Sequence, residues 1–385
     1  MNIAFVMLTY HSDEPAGIER SIASLAAGLR EIGHSTLVIA AGSADSTPTA
    51  GTVRLTTVTL PRPVLYEDIP RLLADTDAIG TEVRRILADH QTDLVCWCDA
   101  VSGLGFLSPA EPATRTVLMV HFPRADKAMH QSLAHDPNAV VTVSPFMINE
   151  AARAGIDSHS WYALPNALLT EGQAPDAVRR EKLRATGPIR VVARADPQKG
   201  VADLLRALPS GLGRPVQVVL AKAGFELRPA LQDRYLRECT ELAGKLDDVE
   251  ILLPLPWEEV QPFFAGAAIA IVPSTGPESF SNVAAEALSV GTPVVGFRMG
   301  HLPVLVGSAG CSVEFSAGGD ELPALRGPAV HIPSVAGRMS ALWESTIALL
   351  SDKERYHKAS RQAALQTAPY VPTNVAKSFL AAVGL

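Results

Sequence analysis

Two segments carry side chains whose type and order could do chemistry. In Arg190–Gly200, RVVARADPQKG, a β-forming run ends at Arg194, a proline-containing turn follows, and Lys199-Gly200 opens a helix. Two cations thereby stand at the carboxyl end of a strand, where an anion is readily held. Taken singly, each is better read as a solvated surface charge; the strand-turn-helix frame raises the pair above that reading. In Ile271–Gly296, IVPSTGPESFSNVAAEALSVGTPVVG, a strand runs into a Pro/Ser/Gly loop. A helix then begins near Ser281, with Ser279, Ser281 and Asn282 around its N-cap. The amides and dipole of such a terminus favour phosphate or sugar oxygens. Glu278 sits in the loop and Glu286 eight residues later, inside the apolar run AAEAL. A carboxylate buried there needs a partner, and a ribose diol or the amides of a neighbouring loop would each serve. His121 ends the strand-like VLMVHFPR, where it could face a reacting group or rest on a neighbouring carbonyl.

No metal site is expected. Asp75-Thr76-Asp77 falls in a helical stretch and reads as a solvated face, and Cys96 and Cys98 alternate along an apolar strand with no second Cys/His pair nearby.

The elements that must position these groups follow from pattern. The chain of 385 residues is 47% hydrophobic, 19% charged and 5% aromatic, enough for about two domains of helices packed on parallel strands. β-like runs near 2–8, 35–41, 53–60, 93–98, 116–121, 139–143 and 160–164 alternate with helical stretches, of which Gly17–Gly33 is the clearest. A polar linker and first helix follow Asn166. The alternation then restarts with strands near 189–194, 215–221, 248–253, 268–272 and 293–297, and helices near 200–208, 229–244, 257–266 and 280–290. We expect an N-terminal Rossmann-like domain at 1–167, a C-terminal one at 168–370, and a final helix at about 371–385 that crosses back onto the first.

Net charge is −7, which disfavours a nucleic-acid partner, and all of the excess lies in the first half: residues 1–167 hold 11 basic and 18 acidic residues, whereas 168–385 hold 22 of each. No stretch is long and apolar enough for a membrane span, and the first residues read as a strand rather than a signal peptide. Four scattered cysteines suit a reducing compartment. Cytoplasmic localisation without stable membrane association is therefore expected.

The segment Pro277–Val295, PESFSNVAAEALSVGTPVV, resembles the E-x7-E region of retaining glycosyltransferases of family 4, and Arg194 and Lys199 in R-x-x-x-x-K-G resemble their donor-diphosphate clamp. Gly17-Ile18-Glu19-Arg20 looks like the family's N-terminal glycine loop, and Val143-Ser144 and Leu164-Pro165-Asn166 like its turns. The chain departs from the pattern at Ala16-Gly17, at Ala193-Arg194 and at Gly300-His301-Leu302-Pro303-Val304, where Val304 replaces an acid.

The resemblance implies a GT-B fold, two Rossmann-like parallel-sheet domains facing across a deep cleft. It implies that Arg194 and Lys199 bind the phosphates of a nucleotide sugar, by family frequency UDP-linked, and that Glu278 with the amides of Ser279, Phe280, Ser281 and Asn282 holds the transferred sugar. Glu286 would bind the ribose, Gly17 would admit the donor, and His121 would stand beside sugar and acceptor. Catalytic weight then falls on His121, Arg194, Lys199 and Glu278, with retention of configuration and no metal or other cofactor. Acceptor recognition would fall to the first domain, through Asp13, Glu14, Asp99, His121 and Asp126. This acidic loop set, with Glu67 and Asp68, suits a small soluble cationic acceptor such as an aminocyclitol or aminoglycoside intermediate of antibiotic biosynthesis, or does no more than keep the protein soluble. A nucleotide-sugar epimerase, a phosphorylase or a non-catalytic sugar-nucleotide binding protein would share the architecture.

Overall fold

The structure is a computed structural model in which residues 1–11, 17–43, 50–107, 113–122, 124–315 and 336–385 are described. They form two compact units, Met1–Leu169 with Gly224–Pro229 and Tyr370–Leu385, and Thr170–Ala223 with Ala230–Pro369.

In the first unit β1 (Asn2–Met7), β2 (Ser35–Ser43), β3 (Thr52–Leu60), β5 (Leu94–Trp97), β6 (Arg115–Val120), β7 (Ala139–Thr142) and β8 (Tyr162–Ala163) make a parallel sheet in the order β3-β2-β1-β5-β6-β7-β8. Strands such as β5, LVCW, are buried along their whole length, which is why they read as unbroken apolar runs instead of alternating ones. The helix Gly17–Glu31 returns β1 to β2, burying Ile22, Leu25, Ala26 and Leu29 on the sheet, and Gly33 turns the chain with a φ of +92°. The C-terminal helix Pro372–Ala382 completes this core: Val375, Ala376 and Phe379 pack with Phe5 and Ile22, and Arg115 donates to the carbonyl of Val383 at 2.7 Å. Glu82, buried in the helix Thr76–Asp89, accepts from the amides and hydroxyls of both Thr56 and Thr57. Burial opposes its ionisation, but these four donors hold its pKa down at about 2.

The second unit repeats the architecture with β9 (Ile189–Arg194), β10 (Val216–Ala221), β12 (Val249–Leu252), β13 (Ile269–Val272), β14 (Val294–Phe297) and β15 (Gly310–Val313), all parallel, in the order β12-β10-β9-β13-β14-β15. The stretch after Asn166 is more than a polar linker. In its helix Ala177–Thr186, Arg180 is buried and its guanidinium donates to the carbonyls of Ala267 and Val290 and to the Thr292 hydroxyl, so it staples the helix to the ends of two other elements.

One segment corrects the linear division of the sequence. Residues 224–229, read there with the second domain, belong to the first unit, because β11 (Phe225–Glu226) pairs in parallel with β4 (Val64–Leu65). Asp75 of the D-x-D caps the helix Thr76–Asp89, accepting from the Ala78 amide at 3.1 Å, and both of its acids are exposed. Among the described residues no helix is long and apolar enough to cross a membrane, and no three His, Cys, Asp or Glu cluster as a metal site.

Candidate functional site

Each sheet reverses its strand order once, between β1 and β5 and between β9 and β13. Connections leave in opposite directions there and open a crevice at the strand carboxyl ends, the usual ligand position in such sheets. β9 pairs with β10 along its length, up to Arg194 with Ala221, but with β13 only at Ile189 and Arg190. Arg194 therefore stands where β9 has parted from β13.

After Arg194 the carboxylate of Asp196 accepts from the Gln198 amide at 2.9 Å and turns the chain into a short 3-10 helix, Pro197–Lys199. Gly200 follows in the left-handed region at φ +69°, where a Cβ would come within 2.1 Å of the Pro273 carbonyl oxygen. That close approach, together with the Thr275 amide donating to the Gln198 carbonyl at 2.9 Å, joins the β9 turn to the β13 loop. Lys199 Nζ thereby reaches Glu278 Oε1 at 2.6 Å, and Ser274 Oγ donates to the same oxygen. Arg194 Nη2 lies 3.4 Å from Asp196 Oδ2. Burial pushes the Glu278 pKa up, but Lys199, Ser274 and Arg194 outweigh it and hold it below the ordinary carboxylate value. The structure thus brings Arg194, Lys199 and Glu278 into one electrostatic cluster.

Glu278 is fixed from behind. Gly300, at φ +62°, bridges it across the end of β14, with a Cβ there only 2.2 Å from the Glu278 carbonyl oxygen, and the His301 amide donates to that carbonyl at 2.7 Å. The His301 ring stacks on Phe280 with centroids 5.9 Å apart, and burial lowers its pKa. His301, singled out in the sequence only as a departure from pattern, is therefore a structural neighbour of the loop.

The capping expectation is corrected: Ser281 precedes the helix Asn282–Ser289, but it adopts φ +79°, ψ +78° and its side chain makes no capping hydrogen bond. A non-glycine residue held there costs about 1–3 kcal/mol, the kind of strain that collects at functional loops. Ser279 and Asn282 stand on either side of it, half-buried, and Glu286 lies buried about one turn along the helix.

In the first unit Asp99 follows β5 and His121 follows β6, both almost fully buried. Asp99 takes φ +104°. Arg124, which the sequence reading passed over although HFPRAD sets Arg and Asp two apart, links Asp99 (3.4 Å to Oδ1) to Asp126 (2.7 Å from Nε). Asp126 also caps the helix Lys127–Ala134 through the Met129 amide. Asp99 and Asp126 are thus partners of one guanidinium, that of Arg124. Asp99 Oδ2 and His121 Nε2 are fully buried with no hydrogen-bond partner among the described residues. Burial raises the Asp99 pKa and lowers that of His121 to about 4, so the imidazole is neutral at pH 7. Glu67 is exposed and Asp68 pairs with Arg71 at 3.2 Å. Gly17 is the exposed first residue of its helix, while Asp13, Glu14 and Ala16 lie outside the described residues.

Comparison with known proteins agrees with this architecture. Residues 15–171 match the family model Glycosyltransferase Family 4, and residues 188–321 match Glycosyl transferases group 1. D-inositol 3-phosphate glycosyltransferase of Corynebacterium efficiens is 34% identical over 198 residues, 49% of this chain and 41% of that protein. The chain thus matches less than half the length of such curated relatives. Among solved structures, sucrose-phosphate synthase of Thermosynechococcus elongatus superposes with a TM-score of 0.73 at 18% identity, over 98% of this chain and 97% of that one. Anabaena HepE, solved with UDP and glucose, superposes with a TM-score of 0.69 at 15% identity over the whole of both chains. With one glycosyltransferase model on each parallel-sheet unit and such neighbours along its full length, the chain belongs to the family-4-like glycosyltransferases of GT-B fold.

Proposed function

We propose that the protein is a retaining hexosyltransferase that moves a sugar from a nucleoside-diphosphate sugar, UDP-linked, to a hydroxyl of a small soluble acceptor, in the cytoplasm and without a metal. The observation that carries this reading is the Lys199–Glu278 pair beside Arg194 at the reversal of the second sheet. Arg194 and Lys199 bind the diphosphate and offset the charge that develops on it as the glycosidic bond breaks, a contribution of about 2–4 kcal/mol for such fixed charges. Glu278, anionic and pinned, accepts from a hydroxyl of the sugar, and Glu286 takes the ribose. Glu278 is held by Ser274 and by the bridge to Gly300 and takes a sugar hydroxyl, so it is assigned to binding and not to covalent attack. The leaving diphosphate then takes the acceptor proton on the same face, and configuration is retained. The neutral imidazole of His121 and the buried carboxyl of Asp99, both in the first unit, take hydroxyls of the acceptor.

The acceptor is a polyol of the cyclitol or aminocyclitol class, as in antibiotic biosynthesis. The curated relatives named for an inositol phosphate support a cyclitol. The aminocyclitol form rests on the acidity of residues 1–167 that remains once Arg124 has paired with Asp99 and Asp126. Incubation of UDP-glucose, UDP-N-acetylglucosamine and their ADP and GDP counterparts with neutral, amino and phosphorylated cyclitols tests the reading. Nucleoside diphosphate released only with an acceptor, and a product anomer matching the donor's by NMR, are expected. Turnover of the donor alone would identify an epimerase, phosphate-dependent release a phosphorylase, and inversion would sink the mechanism.

A further inference from the structure

We propose that Lys199 and Glu278 form an exchangeable ion pair by which the donor site distinguishes a loaded nucleotide sugar from the spent nucleoside diphosphate. The inference rests on the functional reading above, in which Lys199 holds phosphate and Glu278 holds sugar, and adds what the pairing between them does.

Each cation of the site already has a carboxylate: Lys199 has Glu278 at 2.6 Å, and Arg194 has Asp196 at 3.4 Å. Two cations and two carboxylates carry no net charge, so a diphosphate gains little from their summed long-range field, and its binding depends on an exchange of partners. When a diphosphate draws Lys199 away, Glu278 loses its closest cation. The carboxylate has nowhere to follow. Its side chain is only 14% exposed, and its backbone is held by the Gly300 bridge and the His301 amide. Ser274 supplies one hydrogen bond, already made. A second donor is needed, because a largely buried carboxylate stripped of its partner bears the desolvation cost uncompensated.

A loaded donor brings that second donor itself, as a hydroxyl of the transferred sugar; a free nucleoside diphosphate has none beyond its β-phosphate, its ribose hydroxyls lying at the other end. The spent nucleotide therefore binds against an abandoned carboxylate, and the loaded one does not. After transfer the sugar leaves Glu278, Lys199 returns to it, and the diphosphate loses one of its two cations as it departs. Discrimination and product release come from the same swap.

Calorimetric titration of the wild-type chain, Glu278→Gln and Ser274→Ala with UDP and with UDP-glucose tests this, the ADP and GDP pairs being run alongside. Glu278→Gln removes the charge that competes for Lys199, so UDP should bind at least about tenfold tighter than to wild type while UDP-glucose does not gain. Ser274→Ala keeps the charge and removes its other donor, so the preference for UDP-glucose over UDP should widen, the opposite direction. Thermal unfolding of each variant confirms a folded chain, and Ser274→Ala decides alone if Glu278→Gln fails to fold. Equal shifts for both ligands in Glu278→Gln, or a narrowed preference in Ser274→Ala, overturn the swap while leaving the functional reading intact. Absence of binding by every nucleotide and nucleotide sugar to the wild-type chain overturns the functional reading, and the swap with it.

Discussion

At the end of β9 the polar groups are charged, partly exposed and paired with one another: Lys199 with Glu278, Arg194 with Asp196. At the end of β5 and β6 they are buried and incompletely satisfied: Asp99 Oδ2 and His121 Nε2 have no partner among the described residues, and the nearby cation, Arg124, is shared between two carboxylates. The same sheet reversal thus builds two unlike sites. On the proposed function, a highly charged ligand part would call for ion pairs that can change partners, whereas acceptor hydroxyls would be met by buried polar groups on a strained backbone such as that of Asp99.

Five experiments press on this contrast. The largest effect is expected where charge acts on the reacting group. Arg194→Ala or Lys199→Ala should each lower kcat/KM by about 2–4 kcal/mol, roughly 30- to 1,000-fold, and the double variant by at least as much. Wild-type-like transfer by the double variant would remove the charged site from the reaction.

Acid should separate the two units next. His121 has a folded pKa of about 4 against the ordinary 6.5, so the unfolded chain binds the extra proton between those values and stability falls as pH drops through that window, by about 3 kcal/mol from this group. Glu278 is shifted below its ordinary 4.5, so its contribution persists above that value and is lost only as pH falls further. Amide hydrogen exchange should therefore show β5 and β6 losing protection between pH 6.5 and 4.5 while β9 and β13 keep theirs, and His121→Gln should flatten the slope. Equal losses in both sheets would erase the distinction.

Gly200→Ala should destabilise the second unit by about 2 kcal/mol, through both the positive φ and the Pro273 carbonyl, and should weaken nucleotide binding with it. Urea unfolding followed by Trp343 fluorescence reads the first effect. Asp126→Ala, at an N-cap, should cost about 1 kcal/mol and raise the acceptor KM without changing donor affinity; a change confined to the donor would misplace Arg124. A chelator should change nothing, and magnesium-restored loss of turnover would contradict charge neutralisation by Arg194 and Lys199 alone.

The two sites also differ in how far they can be read without coordinates. Arg194, Lys199, Glu278 and Glu286 come from two contiguous segments whose strand-loop-helix pattern is local, so composition and spacing place the first three after strand ends and Glu286 in the helix that follows. The first-unit cluster also draws on two segments, Asp99 and HFPRAD, but the link between them is a tertiary contact with no motif of its own. Asp99 looked like one more surface acid, and nothing in HFPRAD marks Arg124 as the link between β5 and β6. Ser281 looked like an ordinary cap because its preference for that position is local, whereas its φ of +79° is imposed by the loop around it.

Alternating apolar runs and amphipathic helices determined by themselves that this chain makes parallel sheets in two units, because period and burial are properties of neighbouring residues. Tertiary structure alone decided that residues 224–229 join the first unit, that Lys199 rests on Glu278, and that Asp99 shares Arg124 with Asp126. Those pairings join residues from 25 positions apart, as Asp99 and Arg124, to 161 apart, as Val64 and Phe225 (225 − 64), the scale on which strand order and loop closure act, and no local preference specifies them.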